Sequence, residues 1–141
     1  MVRRCFTSGN IFRIFGVHIK KLLSLTAEDI RDYCLLKKGV EEGFPFGNET
    51  LVFKVGGKLF ALMGLDSNPI RINLKCAPAK AIELREAHSY ILPGYHMNKA
   101  HWNTVVCEPR LKLALLQSLI DHSYELVYDS LPKKTKEEIS R

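Results

Sequence analysis

The chain has 141 residues, 46% of them hydrophobic and 26% charged, and a formal net charge of +6 from 21 Lys+Arg against 15 Asp+Glu. That is the size and balance of one globular domain, and it excludes a disordered, collagen-like or disulfide-stapled chain. The charge excess is local: residues 1–25 hold Arg3, Arg4, Arg13, Lys20 and Lys21 and no acid, so the remainder is nearly neutral and overall basicity is no argument for nucleic-acid binding.

In chain order, residues 1–25 mix those cations with Phe6, Ile11, Phe12, Ile14, Phe15 and Val17. Arg13, His18, Lys20 and Lys21 interrupt each apolar run, so no stretch reaches the ~20 residues of a membrane span. No uninterrupted signal-peptide core is present either. The segment is expected to be a basic, poorly ordered extension that folding does not need. Thr26-Ala27-Glu28-Asp29 predicts a helix start, with Thr26 accepting from an N–H three residues on. Ile30, Tyr33 and Cys34 share a face, Lys37 and Lys38 fall in the last turn, and Gly39 ends the helix. Val40 to Asn48 reads as a loop in which Phe44 and Phe46 plug one edge of the core.

Glu49 to Leu65 reads as a hairpin. Leu51, Phe53 and Val55 alternate on one strand, Leu59, Ala61 and Met63 on the other, and Gly56-Gly57 supplies a turn with positive φ. Ile70, Ile72 and Leu74 face the core of the next strand, with Arg71, Asn73 and Lys75 outward. Pro78 suits the first position of a helix to about Ala87, although Ala77 is a poor N-cap. Ile91 to Val106 holds the single Trp and two of the five His. Pro93-Gly94 predicts a turn, then an ordered loop, then a strand over 104–106. Pro109 opens the longest helix, to about Asp129, with Leu115, Leu116, Leu119, Ile120, Ser123 and Val127 buried. Residues 133–141 read as a charged, solvated tail. The order predicts a single α+β domain over 26–132, an antiparallel sheet with helices packed on one face.

The segment Pro93-Gly94-Tyr95-His96-Met97-Asn98-Lys99, followed by His101-Trp102-Asn103-Thr104-Val105, resembles the signature of the MmcQ/YjbR family of small bacterial proteins. Phe44-Pro45-Phe46-Gly47, Phe53 to Ala61, Asn73-Leu74-Lys75-Cys76 and Asp121-His122-Ser123-Tyr124 agree with it in order. The resemblance spans roughly Thr26 to Pro132. It implies a CyaY-like, double-wing fold and a DNA-binding role.

The residues themselves offer little catalytic chemistry. Asp121, His122 and Ser123 are consecutive on a helix, so their side chains diverge by about 100° and form no relay. His122 is expected instead to anchor a neighbouring loop. His96 and His101 lack a third metal ligand nearby. Cys5, Cys34, Cys76 and Cys107 are widely spaced and read as reduced thiols in a cytoplasmic protein. No enzymatic activity, metal, cofactor or membrane span is expected, and a monomer is. What remains is a binding surface for DNA: Lys54, Lys58, Arg71, Lys75 and Lys99 for phosphates, with Asn73, Asn98, His101 and Asn103 as further donors. Phe44, Phe46, Pro93, Gly94, Tyr95, Trp102 and His122 are expected to be structural anchors. The alternatives are a protein-interaction module using loops 44–47 and 93–103, and a metal-dependent enzyme using His96 and His101.

Overall fold

The computed structural model describes residues 25–141, so the expectation for the basic extension lies outside the described residues, apart from Leu25, which packs against the core. The elements are α1 (Ala27–Leu35), β1 (Val40–Gly43), β2 (Thr50–Val55), β3 (Lys58–Gly64), β4 (Arg71–Lys75), α2 (Pro78–Ala87), β5 (Ile91–Pro93), β6 (Trp102–Val106), α3 (Leu113–Asp129) and α4 (Lys133–Ser140). The strands form one antiparallel sheet in the order β1-β2-β3-β4-β6-β5. The fold is the expected α+β domain.

Helix α1 starts where the sequence places it. Thr26 accepts from the Asp29 N–H and Asp29 returns a bond to the Thr26 N–H, a reciprocal capping box. The helix ends at Leu35, so Lys37 and Lys38 lie beyond its last turn. Helix α3 lies across β2, β3 and β4, α1 against β1, and α2 against β5 and β6. Between these helices and the sheet sits the main core, with Ile30, Phe53, Phe60, Met63, Ile72, Leu116 and Ile120 fully buried. Each such side chain contributes about 1.5–3 kcal/mol relative to an exposed one.

A bulge in the β2–β3 hairpin decides what reaches the other face. Phe53 pairs with Ala61 but Lys54 pairs with Leu59, leaving Phe60 as the extra residue. Phe60 and Ala61 therefore both enter the main core. Leu59, expected on that face, turns to the opposite one and joins Val52, Leu62, Trp102 and Met97 in a second small cluster. Ser123 of α3 closes the gap at the bulge. Its hydroxyl accepts from the Lys75 N–H at 2.9 Å and donates to the Phe60 carbonyl at 2.5 Å.

Further boundaries depart from the sequence reading. Residues 40–43 are an edge strand, not loop: Val40 pairs with Val55 and Glu42 with Phe53. Ile91–Pro93 is likewise a strand, on β6. The long helix begins at Leu113, because residues 109–112 form a turn after Pro109. The expected tail is helix α4, whose Ile139 packs against the main core and whose Ser140 carbonyl accepts from Lys38 Nζ at 3.0 Å.

Candidate functional site

The face of the sheet that carries no helix is covered in part by the loop from Gly94 to His101. Most of the signature residues build that loop. The Gly94 N–H donates to the Trp102 carbonyl at 2.9 Å, an approach so close that a Cβ on Gly94 would lie 2.7 Å from the Cβ of Trp102. Lys99 Nζ donates to the Gly94 carbonyl at 2.8 Å. Asn98 Oδ1 accepts from the Ala100 and His101 N–H groups. Met97 and the buried Trp102 pack on Val52 and Leu62. Asn103 is 2% exposed; it accepts from Arg85 and donates to the Ala81 carbonyl, tying β6 to α2.

Tyr95 is held by three polar contacts, all on or below its backbone. Its N–H donates to Thr104 Oγ1 at 2.9 Å, its carbonyl accepts from Asn73 Nδ2 at 3.1 Å, and Thr104 Oγ1 donates to Asn73 Oδ1 at 2.5 Å. The ring itself is 66% exposed. It lies against the imidazole of His96, centroids 3.9 Å apart, and His96 has a left-handed backbone, φ 59°. A non-glycine residue in that region is uncommon and is kept only where its surroundings enforce it.

These contacts place several of the candidate residues. Asn73, Asn98, Lys99 and Asn103, expected to face DNA, each make at least one side-chain hydrogen bond within the protein. Lys54, Lys58, Arg71 and Lys75 make no side-chain hydrogen bond or ion pair among the described residues. Arg71 and Lys75 project from one side of β4, opposite the buried Ile72 and Leu74. Phe44 and Phe46 were expected to plug the core; they are 49% and 64% exposed. They lie in the turns between β1 and β2, and neither is part of the core. Of the other expected anchors, Pro93 ends β5, and His122 Nε2 accepts from the Ala77 N–H at 3.2 Å.

The open face holds a cleft of about 750 Å³ between the loop carrying Phe46, the turn at 66–69 and the Tyr95–Met97 segment. Leu62, Gly64, Asn73 and Thr104 lie at its base and Arg71 on its wall. Beside it Glu49 shares a hydrogen bond with Asp66, and that bond, then the charge of Asp66, raises the Glu49 carboxyl above its ordinary value. The sequence reading missed this cleft because its walls come from three separated segments. The sequence singled out Phe46, Arg71, Asn73 and the 93–103 loop separately, with no signal that they line one concavity.

Elsewhere the chemistry is structural. Asp121 accepts from Tyr33 Oη at 2.7 Å and pairs with Lys37. Burial raises the Asp121 carboxyl, but the bonds from Lys37 and Tyr33 outweigh it and leave the pKa lowered. Tyr124 Oη donates to the Lys38 carbonyl. All four residues of Asp121-His122-Ser123-Tyr124 thus fasten α3 to its surroundings. Burial pushes the Cys34 and Cys107 thiols up to about 12 and raises Cys76, so these are thiols rather than reactive thiolates. No group of three His, Cys, Asp or Glu side chains that could hold a metal occurs among the described residues. No helix among them is long and apolar enough to cross a membrane.

Comparison with known proteins covers both the sequence and this geometry. A family model described as YjbR matches residues 35–126. An Escherichia coli O157:H7 protein, "Uncharacterized protein YbdF", is 42% identical over 100 residues, 71% of this chain and 82% of the relative. "Uncharacterized protein YjbR" of Escherichia coli K12 is 32% identical over 112 residues, 79% of this chain and 95% of the relative. A Deinococcus radiodurans crystal structure with the DUF419 domain superposes with a TM-score of 0.78 at 38% identity, covering 84% of this chain and 90% of that one. A Pseudomonas syringae crystal structure gives 0.63 at 28% identity, covering 73% and 99%.

Proposed function

The chain belongs to the YjbR family, and we propose that it is a DNA-binding protein with no enzymatic step, holding phosphates weakly against the open face of its sheet. The observation that carries this reading is the set Lys54, Arg71 and Lys75, which lie on the open face and make no side-chain hydrogen bond or ion pair among the described residues. Arg31, Lys37 and Arg110, by contrast, are paired with Glu42, Asp121 and Glu108. Arg71 and Lys75 lie four residues apart on one strand, about 13 Å, and project from the same side of it. With few phosphates neutralised and a nearly neutral domain, the expected Kd is about 1 μM or weaker at physiological salt.

The test is a salt titration of DNA binding by fluorescence anisotropy, with and without residues 1–25, whose five cations could bind alone. The shortened chain should give a log K against log salt slope of roughly −3, and Arg71→Ala/Lys75→Ala should remove about 2 from it on every sequence alike. Absence of binding by the shortened chain at low salt refutes the reading. A second reading, a protein-interaction surface, is supported by the exposed Phe44 and Phe46. It predicts association with a protein partner that Phe44→Ser/Phe46→Ser removes while DNA binding is unchanged.

A further inference from the structure

We propose that the cleft on the open face takes a single unpaired nucleobase, with the adjoining phosphate at Arg71. This deepens the DNA-binding reading and rests on it for the strand that delivers the base. The argument starts from what the loop leaves unused. Gly94, Met97, Asn98, Lys99, Trp102, Asn103 and Thr104 are all consumed in fixing the loop. The contacts of Asn73 and Thr104 clamp the backbone of Tyr95 while its ring stays in solvent. A clamp on a residue whose side chain stays largely exposed adds little to folding, but it pre-organises a stacking surface.

The cleft chemistry fits a base. Tyr95, His96 and Phe46 line it with aromatic rings, and Leu62 and Met97 add apolar surface. Bases stack on such rings irrespective of sequence. The side chains of Arg71, Tyr95, His96 and Asn68 line the same cleft and make no hydrogen bond or ion pair among the described residues. Arg71 matches a phosphate in charge and donor geometry, and the others suit base edges. A volume of about 750 Å³ lies within the ~300–1,000 Å³ of small-ligand sites. A stacked base pair offers no free π face for such a site, so a duplex could use only the surrounding cations.

Gly64 provides a clean test. A Cβ there would meet only Asp66 Oδ1 at 3.7 Å, Ser67 Oγ at 3.7 Å and the Arg71 carbonyl at 3.9 Å, ordinary contacts at the base of the cleft. Gly64→Leu therefore brings apolar bulk into the cleft, with a Cβ that displaces no backbone and with no charge removed. The full chain, Gly64→Leu and Tyr95→Ala are titrated by anisotropy with a dozen-nucleotide single strand and with a duplex of the same length, at equal salt. Residues 1–24 are common to all and cancel in the comparison. Thermal melts within a few degrees of each other establish that the variants fold. The expected result is tighter binding of the single strand, with both variants losing roughly ten-fold or more of it and leaving duplex binding unchanged. Equal binding of strand and duplex, unaffected by Gly64→Leu, overturns the cleft assignment and leaves the electrostatic reading standing. If neither nucleic acid binds, that reading fails, and titration with adenosine 5′-monophosphate decides the cleft. Saturable binding abolished by Gly64→Leu supports a nucleobase site fed by free nucleotides; no binding overturns it.

Discussion

Gly94→Ala should destabilise the protein by about 3 kcal/mol, and the reason is local geometry rather than backbone freedom. The added Cβ would lie 2.7 Å from the Trp102 Cβ, 2.9 Å from its carbonyl oxygen and 3.1 Å from its carbonyl carbon. Two of those atoms are backbone and cannot rotate away, so the end of β5 must move off β6. The Gly94 N–H to Trp102 bond at 2.9 Å goes first, at about 1 kcal/mol. The bond from Lys99 Nζ to the Gly94 carbonyl at 2.8 Å adds about 1 kcal/mol more, and shifting Trp102 on Val52 and Leu62 a similar amount. Gly43→Ala is the matched control: nothing lies within 4 Å of its Cβ position, and its expected effect is about zero to 1 kcal/mol of stabilisation. Urea unfolding followed by fluorescence of the single Trp reads the loop directly. A Gly94→Ala protein within about 0.5 kcal/mol of the parent, or a Gly43→Ala protein equally damaged, would refute the reasoning.

Ser123→Ala strands the Phe60 carbonyl and the Lys75 N–H in the interior and should cost about 2–3 kcal/mol in the same assay. Thr26→Ala breaks the capping box and should cost about 1 kcal/mol. Ala77→Ser should add about 1 kcal/mol, because α2 has no side-chain cap. His122 sets a pH dependence. Burial first, then the charge of Lys80, lowers its pKa. Between that lowered value and about 6.5 the unfolded chain binds a proton the native state does not. Stability should therefore fall as pH drops below about 6.5. His122→Gln, which can still accept from the Ala77 N–H, should flatten that part of the curve; an unchanged slope in pH-dependent melts would sink the assignment.

The sequence alone determined the fold class, the hairpin at Gly56-Gly57, the Thr26 helix start, the outward side of β4 and the family, because each is written in local periodicity, turn chemistry or a contiguous motif. Tertiary structure decided the rest. Lys99 and Asn103 look in sequence like the free polar side chains of a binding loop; only the fold brings Gly94 and Arg85 within reach and consumes them. Leu59 follows the alternation on paper and violates it in space, because the bulge at Phe60 depends on pairing with β2. The tail became a helix because the fold offers Ile139 an apolar seat. The cleft joins residues 46, 64–71 and 95–97. No local pattern reveals a concavity whose walls are distant in sequence, since the forces that assemble it act between elements and leave no period within any one of them.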